Sequence, residues 1–176
     1  MNTKKQDELI NTYLSALDGD IQSVYRELAS NLAELGYHPH AQRGYIVFKH
    51  DLHNKQMAKV GMTVKKNQPP RPYFALRFSA CRGYSSRFGE IVRADIEKSP
   101  SHAAKCVEGG CGYCAGDAWS HVYTAEFPDG RRTHCGAYVM EIPGVTMDDL
   151  SEIKKIMAEE HRYLLAHEAK IEEERV

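Results

Sequence analysis

The chain has 176 residues, 42% of them hydrophobic, and its 23 basic residues nearly balance 24 acidic ones for a formal net charge of −1. That length suits one domain, or one domain with a helical extension. The even charge balance argues against a dedicated nucleic-acid binder, which carries a basic face. No apolar run approaches the ~20 residues of a membrane-spanning helix.

The first residues, "MNTKKQDELINTYL", are polar and contain no hydrophobic signal segment. The expected location is therefore the cytoplasm. There, five cysteines read as thiols, metal ligands or redox groups rather than disulfides.

In chain order, Leu9, Ile10, Tyr13, Leu14 and Leu17 recur at helical spacing. "DGD" at Asp18 to Asp20 interrupts them and offers an Asp cap. Ile21, Val24, Tyr25, Leu28, Leu32 and Leu35 form a second stripe, and Gly36 stops it. Residues 1–36 thus predict a helical hairpin packed on the main domain. Residues 37–145 predict an α+β core. Three strands are expected there, Tyr45 to His50, Met57 to Lys66 and Tyr73 to Ala80, with "NQPPRP" as a loop because proline cannot donate to a ladder. "GYSSRFGEIVRADIEKSP" reads as a helix capped at Ser85 or Ser86, with Phe88, Ile91, Val92 and Ile96 on one face and Pro100 past its end. "WSHVYTAEF" and "RRTHCGAYVMEI" flank Pro-Asp-Gly as a β-hairpin. Residues 146–176 form the last helix. Thr146 caps it with Asp149 three residues on, and Leu150, Ile153, Met157, Leu164 and Ile171 mark its buried side. The fold class expected is α+β: a mostly antiparallel sheet with helices on one face, an N-terminal helical hairpin, a cysteine-rich loop before a β-hairpin, and a long C-terminal helix.

The loop over 106–116 concentrates the chemistry. Cys106-x4-Cys111-x2-Cys114 is followed, after twenty intervening residues, by Cys135. Four thiols suit tetrahedral zinc, and a short glycine-rich loop turns sulfurs inward without strain. A structural zinc site on Cys106, Cys111, Cys114 and Cys135 is the leading expectation. The same spacing is also that of plant-type [2Fe–2S] ferredoxins. Thiols without a metal, or a Cys111/Cys114 disulfide switch, stay open beside both. His102, His121 and His134 flank the cysteines as alternative ligands, with His134 favoured by its place next to Cys135. If Phe127 pairs with Arg131, Tyr123 faces Cys135; a one-residue slip reverses that face.

"CVEGGCGYCAG" is similar to the cluster loop of plant-type ferredoxins and of the xanthine dehydrogenase iron–sulfur domain, where a "GEGGCG" string lies among the ligands. That resemblance implies a [2Fe–2S] cluster on the same four cysteines. The segment after position 70 also resembles a group of short uncharacterised bacterial cytosolic proteins with a Cys-x2-Cys loop and a "YPDG" hairpin ending in cysteine. That likeness implies no activity.

Two further readings concern other residues. Cys81 in "RFSACRG", between Arg77 and Arg82, is a candidate activated thiol for a thiol-dependent enzyme, since nearby cations lower a thiol's pKa; a buried, inert cysteine is the competing reading. Arg71, Arg77, Arg82, Arg87 and Arg93 recur near sheet and helix and are candidates for an anion pocket. No nucleophile elbow, phosphate loop or dinucleotide fingerprint is present. The expectation is a zinc-bound cytoplasmic protein that acts by binding a protein or small molecule rather than as an enzyme, with the terminal helices packing on the domain or on another subunit.

Overall fold

The computed structural model describes residues 2–109, 111 and 117–173, with side chains to residue 169. The chain is α+β. Helices α1 (Lys4–Ser15) and α2 (Gly19–Glu34) form the N-terminal hairpin. Strands β1 (Tyr37–Gln42), β2 (Tyr45–His50), β3 (Gln56–Thr63) and β4 (Arg71–Leu76) follow as a meander. Then come α3 (Ser86–Lys98), the hairpin strands β5 (Tyr123–Phe127) and β6 (Gly130–His134), β7 (Met140–Ile142) and α4 (Leu150–Glu173). Five strands form one antiparallel sheet in the order β1-β2-β3-β4-β7, and β5-β6 stand apart as a two-stranded sheet. Among the described residues no helix is long and apolar enough to cross a membrane.

One face of the sheet carries Ile46, Phe48, Ala58, Val60, Phe74, Leu76, Met140 and Ile142, and all of them join a single buried cluster. Each helix contributes its apolar stripe to that cluster: Leu14 from α1, Leu28 and Leu32 from α2, Phe88 and Val92 from α3, and Ile153, Ile156 and Met157 from α4. The N-terminal hairpin is fastened to the sheet as well as packed on it, because the Tyr13 hydroxyl donates to the Gly61 carbonyl at 3.2 Å.

Local signals explain the element ends. Thr3 caps α1 through a reciprocal box with Gln6. Gly36, at φ +83°, takes the left-handed position after α2. Thr146 and Asp149 form the expected capping box ahead of α4.

The structure corrects several expectations. Tyr37 to Gln42 is a strand, hidden in the sequence by Pro39 and two histidines. It lies at the sheet's edge, where proline is tolerated. Pro72 is also inside a strand, paired with Met62, at a point that β7 does not reach, since β7 pairs only Phe74 to Leu76. Ile21 is 43% exposed and takes no part in the buried stripe of α2. The second arm of the hairpin divides: β6 ends at His134, Cys135 begins a turn, and Met140 to Ile142 joins the main sheet. The hairpin register is one residue from the expected one, with Phe127 opposite Gly130 and Tyr123 opposite His134. The Ile171 side chain lies outside the described residues.

Two buried polar features hold the layers together. Glu160 of α4 is fully buried and accepts from Arg77 Nε at 2.7 Å, from the Ala80 N–H at 2.7 Å and from the Ser79 hydroxyl at 3.3 Å. Tyr37, also fully buried, is surrounded by imidazoles: His50 at 4.9 Å between ring centroids, His161 at 5.6 Å and His53 at 5.9 Å, with His50 and His53 stacked at 4.3 Å.

Both features generate predictions. Removing one partner of a buried, fully hydrogen-bonded charge pair leaves the other uncompensated, so Glu160→Ala should lower unfolding stability by about 3–5 kcal/mol in a denaturant titration. Burial first, then the charges of His50 and Lys55, pushes the His53 imidazole down to about 4, while Glu168 pulls the other way; burial also lowers His50 and His161. A folded-state pKa below the unfolded value near 6.5 means the unfolded chain binds the proton first. Stability is therefore full above pH ~6.5 and falls as pH drops through ~4. His53→Gln should reduce the stability difference between pH 7.5 and pH 4.5 by about 1–2 kcal/mol, the full shift being discounted for solvent screening.

Candidate functional site

The cysteine site is built where α3 hands over to the hairpin. After α3, a short turn over Pro100–His102 and another over Lys105–Glu108 bring Cys106 back toward β6. Gly109, at φ +77°, closes the second turn in the left-handed conformation. The Cys135 N–H donates to the His102 carbonyl at 2.9 Å, which locks the turn after β6 against the start of the loop. Cys106, Cys111 and Cys135 then line one cavity of about 280 Å³, together with His102, Lys105 and Tyr138. All three thiols are half-buried and none forms a disulfide. Burial raises the Cys106 pKa, and the charges of Cys135 and Cys111 push it the same way. Among the described residues no three His, Cys, Asp or Glu side chains already stand close enough together to enclose an ion. Cys114 lies outside the described residues.

The histidines separate. His102 lines the cysteine cavity and stacks on Tyr138 at 3.9 Å, with the His134 ring 4.9 Å away. His134, the favoured alternative ligand, is buried and places Nδ1 3.0 Å from an Asp95 carboxylate oxygen on α3. It does not line the cysteine cavity. The register explains this: His134 is paired with Tyr123 and turned toward the core, leaving Cys135 to turn away. His121 belongs to a second cavity altogether.

Cys81 is 1% exposed, and its thiol donates to the Ile156 carbonyl at 3.1 Å. Burial, and then the carboxylates of Glu160 and Glu159, push its pKa well up, the reverse of what flanking arginines would do. Arg82 instead spends its guanidinium on the carbonyls of Ser79, Cys81 and Trp119. A buried thiol held in its neutral form is a poor nucleophile.

The five arginines do not converge. Arg87 pairs with Asp149 and the Pro143 carbonyl, Arg93 donates to the Glu126 carbonyl over the Phe127 ring, and Arg71 is exposed on β4. Arg87 and Arg71 line two separate cavities, and Arg77 lines a third. This cavity, of about 230 Å³, lies between the bulged part of β2–β3 and α4 and is also lined by Lys49, Lys55, His121, Tyr163 and His167. The irregularity at Phe48/Lys49 sets Lys49 opposite Gln56 and leaves Met57 as the extra residue, whose carbonyl accepts from the Arg77 N–H at 2.8 Å. Sequence reasoning named Arg77 and His121 separately and missed Lys49, Lys55, Tyr163 and His167. The one signal available was Glu160, a charged residue three or four places from Ile156, Met157 and Leu164 on the apolar stripe of α4.

The two cavities share the segment Cys135–Gly136–Ala137, with Cys135 in the wall of one and Ala137 in the wall of the other. Gly136 sits between them. A Cβ built there would overlap the His121 carbonyl oxygen outright and crowd the Ser79 hydroxyl at 2.5 Å. Compared with protein-family models, curated proteins and solved structures, the chain matches none.

Because the atom that a side chain would strike at position 136 is backbone, the site cannot yield by rotating a side chain. Gly136→Ala should cost about 2 kcal/mol or more. For a chain of this size that is a fall in melting temperature of about 4–8 °C, read by calorimetry; an unchanged melting temperature would contradict the close packing described.

Proposed function

We propose that the cysteine loop is a structural zinc site and that the chain acts by binding rather than by catalysis. The observation that carries this reading is the meeting of Cys106, Cys111 and Cys135 in the wall of one cavity, with Cys135 anchored there by a backbone hydrogen bond to His102. Residues far apart in sequence share this small space, and it is half-buried rather than sealed. Cys114 is the fourth ligand in the proposal, with His102, the imidazole that lines the same cavity, to stand in for it.

Zinc supplies cohesion here. It would tie the loop over 106–116 to the turn after β6. Structural zinc contributes apparent binding energies of roughly 10–16 kcal/mol in small peptides, and that energy is coupled to folding. With all positions filled by protein, such an ion has no open position for substrate, so it stabilises rather than catalyses. A buried, neutral Cys81 supports the same non-enzymatic reading.

Aerobically purified protein should be colourless and hold one zinc per chain by elemental analysis. Chelation and Cys106→Ser should each lower the melting temperature, and the two effects should not add. A brown protein absorbing in the visible would identify a [2Fe–2S] cluster on the same cysteines and replace the zinc reading. Absence of any stoichiometric metal would overturn it.

A further inference from the structure

We infer that the cavity lined by Lys49, Lys55, Arg77, His121, Tyr163 and His167 is a binding site for a small oxyanion, a carboxylate or phosphate carried on a compact molecule. This inference does not rest on the zinc reading.

The argument starts from the charges. Three cationic side chains line the cavity, and no carboxylate does. Glu160 and Glu168, the partners of Arg77 and Lys55, hold those two side chains from outside the lining, at 2.7 Å and 3.0 Å. Lys49 makes no ion pair among the described residues. A cavity walled by cations, with the balancing carboxylates set behind them, presents positive potential to its contents.

The second observation is His121. It is 2% exposed, and neither ring nitrogen has a hydrogen-bond partner among the described residues. The Asp117 carbonyl is near enough to favour protonation, but neither nitrogen meets it in hydrogen-bond geometry. Burial, with Arg77 and His167 nearby, lowers its pKa all the same. A buried polar group left without a partner costs about 1–3 kcal/mol, so native structures rarely leave one without a reason. A neutral imidazole in the wall of a cationic cavity has one N–H to give, and an oxyanion is the group that would accept it.

Shape narrows the ligand. His121 and Tyr163 stack with ring centroids 6.1 Å apart, and Tyr163 lies 5.8 Å from His167, tilted by 48°, so one wall is aromatic. The volume, about 230 Å³, falls below the ~300–1,000 Å³ of pockets for drug-sized ligands. The occupant is accordingly a small metabolite rather than a nucleotide or a peptide. Arg77 is held by Glu160 before any ligand arrives, so the site is built in advance and little ordering is required on binding.

The test uses the full chain, titrated by calorimetry with inorganic phosphate and, separately, with succinate, before and after chelation. Binding of one equivalent is expected, weakening as sodium chloride is raised. Lys49→Gln should weaken it by about fivefold or more, the loss of roughly one charge-assisted contact. His121→Gln, which keeps a donor, should retain binding better than His121→Phe. Binding of phosphate alone assigns a phosphate-bearing ligand, binding of succinate alone a carboxylate, and binding of both a general oxyanion pocket. No heat or chemical-shift change with either anion at about 10 mM, well above the 1 mM scale of weak complexes, would overturn the inference. So would binding that Lys49→Gln leaves untouched. Loss of zinc with retention of anion binding would separate this site from the cysteine site.

Discussion

The carboxylate of Glu160 is the constraint on which the rest of the molecule is arranged. It is fully buried on α4 and receives a guanidinium N–H, a backbone N–H and a hydroxyl from the single stretch Arg77 to Ala80. A buried carboxylate is tolerated only when its lone pairs are satisfied in this way. Satisfying them fixes where β4 ends relative to α4, and the same stretch then distributes contacts outward. The Phe78 N–H donates to the Tyr123 hydroxyl at 2.9 Å and holds the hairpin, while the Ser79 hydroxyl shares its one proton between the Gly136 carbonyl at 3.1 Å and the Glu160 carboxylate at 3.3 Å. Cys81 closes the series by donating to Ile156, one turn before Glu160 on the same helix.

Both candidate sites hang from that brace. Ser79 positions Gly136, and Gly136 separates Cys135 in the cysteine cavity from Ala137 in the cationic one. Arg77 is itself part of the second cavity's wall. The molecule therefore places a cluster of thiols and a cluster of cations on opposite sides of a three-residue segment that packing holds rigid. Residues that look unrelated in the sequence, a serine after a strand and a glycine after a cysteine, are joined by one hydrogen bond and one steric limit.

The α+β class, the helical hairpin, α3 and the capping box at Thr146 and Asp149 were all legible, because each rests on periodicity or on a local backbone requirement. What stayed hidden depended on partners distant in sequence. β1 contains Pro39 and two histidines and lacks the β-branched run that announces a strand, but an edge position tolerates all of these. The hairpin register differs by one residue, and that slip turned His134 inward to Asp95 and left His102, not His134, beside the cysteines. Cys106 and Cys135 were read as neighbours from their chemistry and do share a cavity. Cys81 was read in two ways, and only burial, which no local pattern encodes, separates them. The cationic cavity was the least visible feature: its residues come from β2, the loop after it, the end of β4, the approach to β5 and α4, and no one segment carries more than a fragment.

The most direct test of the account is X-ray absorption at the zinc edge on the purified protein, comparing the parent chain with Cys135→Ser. The account predicts a shell dominated by sulfur at about 2.3 Å, with one sulfur fewer in the variant, because the cysteine beyond the hairpin reaches the same ion as those of the loop. A shell made only of nitrogen and oxygen, or a sulfur count that the variant leaves unchanged, would contradict it.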